Sequence, residues 1–270
     1  YWMAKGGHEF DGREINALDM IELDDIAAQI GAAGIETVAI SSIFSPVNDD
    51  MERRAMAQMQ KRLPNANFTL SSEIGRLGIL ERENAAIMNA SLRALSRKTV
   101  DAFGKALEQV GLTCPYYITQ NDGTLMNRDF VQAYPVLTFA SGPTNSMRGA
   151  SFLSGEADAI VIDIGGTTTD VGALVKGFPR QASTTIDVGG VRTDFRMPDV
   201  YSIALGGGTI VAGERDNLKV GPRSVGYRIV QGAMVYGGDT LTATDVVVAL
   251  GLAGVGDRSK LVGVDAGRLN

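Results

Sequence analysis

One segment of the 270-residue sequence constrains its structure more than any other, the run AIVIDIGGTTTDVG at residues 159–172. Its first six residues are apolar apart from Asp163, which predicts a buried β-strand that reaches this aspartate. Gly165 and Gly166 then allow a tight turn, and three consecutive threonines precede Asp170. The run therefore predicts a hairpin whose loop has bare main chain at its centre and acidic residues on both sides.

The chemistry that this loop predicts is phosphate binding. Glycines without a Cβ let an anion approach main-chain N–H groups, and the hydroxyls of Thr167, Thr168 and Thr169 would add donors. Asp163 and Asp170 are candidates for holding a metal ion and orienting a nucleophile. The alternative is an ordinary hairpin with a Gly-Gly turn, in which the threonines merely fill strand positions. We favour phosphate binding because an ordinary turn requires neither the preceding aspartate nor the run of hydroxyls.

Composition and charge narrow the range of partners. The net charge of −6 repels phosphate backbones, so we expect no nucleic-acid partner. The longest apolar runs are far shorter than the ~20 residues of a membrane span, so we expect no membrane association. The single Cys114 excludes an internal disulfide and fits a reducing cytoplasm, and the single His8 excludes a His-rich zinc site. Neither is expected to be catalytic, since a lone cysteine is usually buried, and any metal should be a hard cation such as Mg²⁺.

Hydrophobic periodicity predicts alternating helices and strands, and hence a parallel or mixed sheet with helices on its faces. The charged run Glu52-Arg53-Arg54 is expected on a solvated helix face, and Thr244 or Asp245 is expected to cap the last helix. A change of composition after Pro135 places a boundary between regions 1–136 and 137–270. The predicted helices are 22–33, 49–62, 81–109, 144–153 and 246–252, and the predicted strands are 37–44, 68–71, 116–119, 159–164, 171–175 and 200–204.

Two further groups of residues are candidates for ligand contact. A second glycine loop, Leu205–Ile210, either approaches a cofactor or forms a tight turn that needs positive φ. Strand ends and a lone cation provide weaker candidates for substrate contact, each with an ordinary turn or surface ion pair as its alternative. The cofactor candidates in the second loop are Gly206, Gly207, Gly208 and Thr209, and the substrate candidates are Asn121 and Asp122 at a strand end and the lone cation Arg192.

Six segments in order resemble the hydantoinase A/5-oxoprolinase family, whose members are ATP-using subunits of the actin-like ATPase superfamily. Within that superfamily the string DIGGTTTD resembles the second phosphate loop, and residues 141–150 resemble the helix that leads into it. The first phosphate loop of the family has no counterpart between Tyr1 and Ala140. The matching segments are 121–126, 141–143, 163–170, 206–209, 220–224 and 237–245. Ser141, in the second of these segments, is a fourth substrate candidate, implied only by the resemblance.

The resemblance implies an α/β fold with an actin-like (ribonuclease H-like) core, a mixed sheet flanked by helices. Region 1–136 would be a partial first actin-like region, and region 137–270 a second one with the phosphate loop. The implied reaction is ATP-dependent hydrolysis or carboxylation of a small cyclic amide or carbonyl compound through a phosphate-activated carbonyl. ATP and Mg²⁺ are the implied cofactors, a second hydantoinase-type subunit the implied partner, and the cytoplasm the implied location.

Three alternatives stay open: a nucleotide-binding actin-like module without catalysis of its own, a small-molecule kinase of the same superfamily, and a degenerate, inactive fragment. Because the first loop is not found, we expect a central fragment or a truncated member of the family. A few hydrogen bonds from half a phosphate clamp correspond to roughly millimolar affinity, so we expect weak or undetectable ATP binding by this chain alone.

Overall fold

The computed structural model describes residues 1–182, 185–213 and 217–264. No helix in these ranges is long and apolar enough to cross a bilayer. Their α-helices are α1 (Met20–Ala32), α2 (Asp50–Gln60), α3 (Ile79–Gln109), α4 (Arg128–Ala133), α5 (Ser141–Ser154), α6 (Ile229–Gly232) and α7 (Ala243–Ala249). Their strands are β1 (Thr37–Ile40), β2 (Asn67–Leu70), β3 (Ile118–Thr119), β4 (Leu125–Met126), β5 (Ala159–Ile164), β6 (Thr169–Val175), β7 (Phe178–Pro179), β8 (Ile186–Val188), β9 (Val191–Thr193), β10 (Val200–Ile203), β11 (Thr209–Ala212) and β12 (Lys219–Ser224).

The chain folds into two compact units, and α5 begins in the first and ends in the second. The predicted division between residues 136 and 137 into two actin-like regions stays a prediction, and residues 265–270 of the second region lie outside the described part. The first unit comprises Tyr1–Asn145 and Gln181–Pro198, and the second the described residues within Ser146–Arg180 and Asp199–Asn270.

A β–α–β motif organises the first unit. Strands β1 and β2 are parallel, with Thr37 opposite Asn67, and α2 lies between them in the chain. Helix α1 begins after Asp19, whose carboxylate accepts the main-chain N–H groups of the first turn, and it stops before Gly34 at φ +66°. One face of α1 packs against α2 to form the core of the motif. The buried residues of this core are Leu23, Ile26, Ala27, Ile30, Ala55 and Met59.

Three expectations for the first unit are wrong. The predicted strand 37–44 ends at Ile40, where the chain leaves the pairing with β2. Glu52 is not solvated, because it is buried and its carboxylate accepts hydrogen bonds from serines that follow β1 and β2. Cys114 is exposed. His8, the other residue for which no catalytic role is expected, is buried, with a relative exposure of 1%.

An antiparallel sheet organises the second unit. In the hairpin of β5 and β6, Asp163 lies opposite Asp170, and β10 lies along the other side of β6 with Ser202 opposite Asp170. Residues that lie opposite one another point to the same face, so these three side chains share one side of the sheet. Helix α5 packs on that side, where a Cβ at Gly172 would lie 2.4 Å from the sulfur of Met147. A side chain at Gly172 would therefore require Met147 to move.

The other face of the sheet is open. Ile160, Ile162 and Ile164 of β5 are 69%, 60% and 72% exposed, and Tyr201 of β10 is exposed beside them. The prediction of a buried strand is therefore wrong, because the three isoleucines are exposed and the residues between them are only half-buried. A largely apolar strand is typical of a sheet covered on both faces, whereas among the described residues a helix packs only on the face that carries Asp163.

The last helix, α7, is capped by Thr242, which the sequence pattern did not indicate. The hydroxyl of Thr242 accepts the main-chain N–H of Asp245, and the carboxylate of Asp245 accepts the N–H of Thr242. This reciprocal capping box starts α7 one turn earlier than predicted, so the expectation of Thr244 as the cap is wrong, whereas Asp245 does contribute to the cap from the third helical position. The small core beneath α7 contains Ala233, Val235, Val248, Ala249 and Leu261.

Candidate functional site

The loop between β5 and β6 presents bare main chain. The N–H of Gly165 donates to the carbonyl of Thr168 at 2.9 Å, which closes the base of the hairpin. Gly165, Gly166 and Thr167 are exposed, and a Cβ at Gly166 would meet no atom within 4 Å. No side chain of the described residues therefore fills the space at Gly166.

The main-chain donors of this loop are unoccupied. Among the residues that the structure describes, no acceptor takes a hydrogen bond from the N–H groups of Gly166, Thr167 and Thr168. The hydroxyl of Thr167 is also unpaired within the described ranges. Donors in this state can bind an oxyanion without first breaking a bond to the protein. The loop thus fits the phosphate site that the sequence predicts.

The other two threonines of the loop have different tasks. The Thr168 hydroxyl lies 3.4 Å from a carboxylate oxygen of Asp170, to which it can donate. The Thr169 hydroxyl donates to the carbonyl of Leu205 at 2.6 Å, and its side chain is 8% exposed. The structure therefore uses Thr169 to hold a second loop, and its predicted contact with phosphate stays a prediction.

Two carboxylates, those of Asp163 and Asp170, flank the loop and differ in their hydrogen bonding. Asp163 and Asp170 lie directly opposite each other, at a spacing where like charges repel. Asp170 accepts hydrogen bonds from Thr168 and Ser202, whereas no donor within the described part of the chain reaches the carboxylate of Asp163. Asp163 is the carboxylate that is free to bind a cation.

The acidic pair matches the way proteins hold Mg²⁺. The described residues contain no cluster of three or more His, Cys, Asp or Glu side chains that could form an all-protein metal cage. Mg²⁺ is commonly held by one or two carboxylates together with phosphate oxygens and water. Asp163 and Asp170 beside the loop provide such a pair, and their role as metal-binding and catalytic residues stays a prediction.

The second glycine loop, Leu205–Thr209, packs directly on the first. The N–H of Gly207 donates to the carbonyl of Gly165 at 3.0 Å, and the N–H of Gly208 donates to that of Gly166 at 2.7 Å. A Cβ at Gly206 would lie 2.7 Å from the carbonyl oxygen of Gly165, closer than real Cβ atoms approach. Glycine is required here because two main chains lie side by side.

These contacts change the interpretation of Gly206, Gly207, Gly208 and Thr209. Residues 206–209 do form a tight turn, as the alternative expects, but none of the three glycines has the positive φ that it invokes. The N–H of Gly206 donates to the Thr209 hydroxyl at 2.8 Å, and the N–H of Thr209 donates to the Gly206 carbonyl at 3.0 Å. The N–H groups of these four residues are thus all occupied within the protein. A direct cofactor contact by these residues stays a prediction, while their support of the first loop is observed.

Sequence reasoning missed two residues that complete this arrangement. Thr244, in the first turn of α7, donates from its N–H and from its hydroxyl to the carbonyl of Gly207, both at 2.9 Å. Ser202 on β10 donates to Asp170. No local pattern identifies Ser202, because its meeting with Asp170 depends on strand register.

The weaker substrate candidates belong to the first unit. Asn121 is fully buried, and its amide donates to the carbonyl of Arg196 at 2.5 Å. Asp122 accepts the N–H and the hydroxyl of Thr124, at 2.9 and 2.6 Å, which is a local turn. These bonds give both residues structural uses, and substrate contact by them stays a prediction.

The remaining two candidates are accessible. Arg192 is 70% exposed and forms an ion pair with Glu81 at 3.2 Å, the surface arrangement that its alternative reading predicts. Ser141 is the first residue of α5 and is half-buried. Their roles toward a substrate also stay predictions.

Comparison with known proteins shows to which family the chain belongs. The sequence profile of the hydantoinase/oxoprolinase family matches residues 82–255, and the profile of the hydantoinase/oxoprolinase N-terminal region matches residues 2–63. The chain belongs to the hydantoinase/oxoprolinase family. The resemblance inferred from six short segments is therefore confirmed.

Relatives and solved structures agree with this placement. The chain is 28% identical to caprolactamase subunit alpha of Pseudomonas jessenii over 248 residues, which is 89% of this chain and 35% of that protein. The ATP-dependent caprolactamase structure from the same organism superposes with a TM-score of 0.74 at 25% identity, over 93% of this chain and 37% of that one. The nucleotide-free acetone carboxylase structure gives a TM-score of 0.67 at 22% identity, over 95% and 38%, and shows the fold alone.

The shared fold is of the actin-like ATPase type, so the predicted fold class is confirmed. The chain spans little more than a third of the caprolactamase subunit that it matches.

Proposed function

We propose that this chain carries the phosphate-binding loop of an ATP-dependent enzyme that hydrolyses or carboxylates a small cyclic amide or carbonyl compound. The observation that carries the proposal is the open loop of Gly165–Thr168, with three unoccupied N–H groups next to a pair of facing carboxylates. An ordinary hairpin turn has no use for this combination.

Each part of the loop has a task in this proposal. The N–H groups of Gly166, Thr167 and Thr168 donate to phosphate oxygens, where stabilisation of developing negative charge contributes most to phosphoryl transfer. Asp163 and Asp170 hold the divalent cation that neutralises the same phosphates. The second glycine loop keeps the first in shape, so that the donors need no reorganisation when the anion arrives.

Bound Mg²⁺–ATP would supply a phosphoryl group that converts a carbonyl oxygen of the substrate into a leaving group. The substrate class is taken from the relatives, since one is caprolactamase subunit alpha and another, 25% identical over 241 residues, is the acetone carboxylase beta subunit of Xanthobacter autotrophicus. A lactam and a ketone both present a carbonyl oxygen. The name of the caprolactamase relative as subunit alpha supports a second, different subunit as partner. Cytoplasmic location belongs to the same proposal.

The loop itself provides a sharp test. Gly166→Ala adds one methyl group at a position with open space and without positive φ, so the fold should tolerate it. The methyl group would nonetheless occupy the space that an anion needs next to the free N–H groups. With the chain at high concentration, ³¹P NMR of Mg²⁺–ATP should show millimolar binding that Gly166→Ala reduces at least tenfold, or ~1.4 kcal/mol.

Gly142→Ala is the matched control, because a Cβ at that glycine also meets no atom within 4 Å. It should bind Mg²⁺–ATP like the unaltered chain. Equal binding by Gly166→Ala and Gly142→Ala would rule out the loop as the phosphate site. Undiminished binding by Asp163→Asn would separately remove the metal role of Asp163.

A further inference from the structure

Asp170 is held from two sides. Ser202 donates to one carboxylate oxygen from the neighbouring strand β10, and Thr168 can donate to the other oxygen at 3.4 Å from within the loop. Ser202 reaches Asp170 because the two residues lie directly opposite in the antiparallel pairing of β10 and β6. The orientation of this carboxylate is therefore set before any ligand binds.

Asp163 needs a neighbouring carboxylate of fixed orientation if the two are to share a cation. It lies directly opposite Asp170 on the other side, so the three residues Asp163, Asp170 and Ser202 form one row across three strands. Two facing carboxylates repel each other, and an unrestrained Asp170 would turn away from Asp163. A hydroxyl donor reduces that repulsion by stabilising the charge on Asp170.

We propose that Ser202 is a positioning residue that holds Asp170 in the orientation needed to share a divalent cation with Asp163. The inference rests on the proposed function, because it concerns the cation that accompanies the bound phosphate. It adds a residue that the sequence motif does not contain and that touches neither the cation nor the phosphate.

The test measures Mn²⁺–ATP binding to the whole chain by water-proton relaxation, with Mn²⁺ in place of Mg²⁺. Ser202→Ala removes the donor, whereas Ser202→Thr keeps the hydroxyl and suits a strand. Ser202→Ala should weaken binding roughly tenfold, the lower end of what the loss of one hydrogen bond to a charged group corresponds to, and Ser202→Thr should remain within about twofold of the unaltered chain. Ser154→Ala is the control, since its exposed hydroxyl bonds only to nearby main chain among the described residues, donating to the Ala150 carbonyl and accepting the Glu156 N–H.

A second measurement separates positioning from general damage. In an Asp170→Asn background, Ser202→Ala should cause no further loss of Mn²⁺–ATP binding, because the carboxylate that it positions is gone. Equal weakening by Ser202→Ala and Ser202→Thr, or an unchanged affinity of Ser202→Ala while Asp163→Asn abolishes binding, would overturn this inference alone. If the unaltered chain binds no Mn²⁺–ATP at all, the proposed function fails and takes the inference with it.

Discussion

The main-chain N–H of Gly208 donates to the carbonyl of Gly166 at 2.7 Å, so the second glycine loop is fastened to the centre of the first. At the neighbouring position, a Cβ on Gly206 would lie 2.7 Å from both the Gly165 carbonyl oxygen and the Thr167 nitrogen. We expect Gly206→Ala to push the loops apart and to lower the free energy of unfolding by about 1–3 kcal/mol, as overpacking does. Urea denaturation followed by circular dichroism measures this change.

Gly166→Ala is the control for that prediction, since its methyl group would meet no atom within 4 Å. It should leave the unfolding free energy within about 0.5 kcal/mol of the unaltered chain. If Gly206→Ala were equally harmless, the two loops would not be packed as the structure has them.

Asp245 is a buried carboxylate of the second unit that accepts three hydrogen bonds. It is fully buried, and it accepts the N–H of Val235, the N–H of Thr242 and the Thr242 hydroxyl, each at 2.7 Å. Asp245→Ala would leave two buried N–H groups without an acceptor, so we expect a loss of about 3 kcal/mol or more in unfolding free energy. Thermal and urea unfolding measure the loss.

Asp239→Ala provides the comparison for Asp245, because Asp239 is exposed and bonds only to the adjacent Thr240. Its effect should be within about 0.5 kcal/mol. Comparable losses for the two aspartates would show that the capping box does not stabilise α7.

The local sequence pattern predicted a helix or a strand well where residues of that element alone determine where it begins and ends. The predicted helix 22–33 corresponds to α1, whose buried residues Leu23, Ile26 and Ile30 recur at helical spacing, and the predicted strand 159–164 matches β5 residue for residue. The motif at Asp163 also carried the family resemblance. Such features were accessible because helix periodicity and turn residues act over short distances.

Features that depend on contacts between distant segments were not accessible. Ser202 meets Asp170 only through strand register, and Gly206 is glycine because another main chain lies against it. Glu52 looked like part of a solvated run because its partners, Ser42 and Ser72, come from other parts of the chain. Neither register nor burial of a charged residue can be inferred from one short segment.

Glu52 anchors the ends of β1 and β2. Its carboxylate accepts the N–H of Ser42 at 2.9 Å, the Ser71 hydroxyl at 2.6 Å, and the N–H and hydroxyl of Ser72 at 3.0 and 2.8 Å. Glu52→Ala would remove every one of these bonds inside a buried region. We expect it to lower the unfolding free energy by about 3 kcal/mol, measured by urea denaturation.

The next residue of the same helix is the natural control. Arg53 is exposed and pairs with Asp49 at 2.6 Å, one turn earlier. Exposed pairs of this kind contribute little, so Arg53→Ala should cost less than about 1 kcal/mol. A Glu52→Ala variant as stable as Arg53→Ala would show that the carboxylate is solvated after all.

Asp194 makes the stability of the first unit depend on pH. Burial raises the pKa of its carboxyl above the ordinary value, against the opposing effects of the Arg76 N–H and the Arg82 charge, and Glu81 raises it further. One oxygen accepts the Arg76 N–H at 2.8 Å, while the other is buried without a partner among the described residues. The folded state therefore binds the Asp194 proton more tightly than the unfolded state does.

A raised folded-state pKa fixes the sign of the effect. As pH rises from the ordinary aspartate pKa of about 3.9 through the folded-state value, the folded chain must give up a proton that it binds more tightly, so Asp194 costs stability. Asp194→Asn cannot ionise and keeps an oxygen for the Arg76 N–H. Its unfolding free energy relative to the unaltered chain should therefore increase with pH over this range and level off above it, as measured by urea denaturation at a series of pH values. A difference that stays constant, or that falls as pH rises, would mean that the Arg76 N–H and the Arg82 charge outweigh burial at this carboxyl.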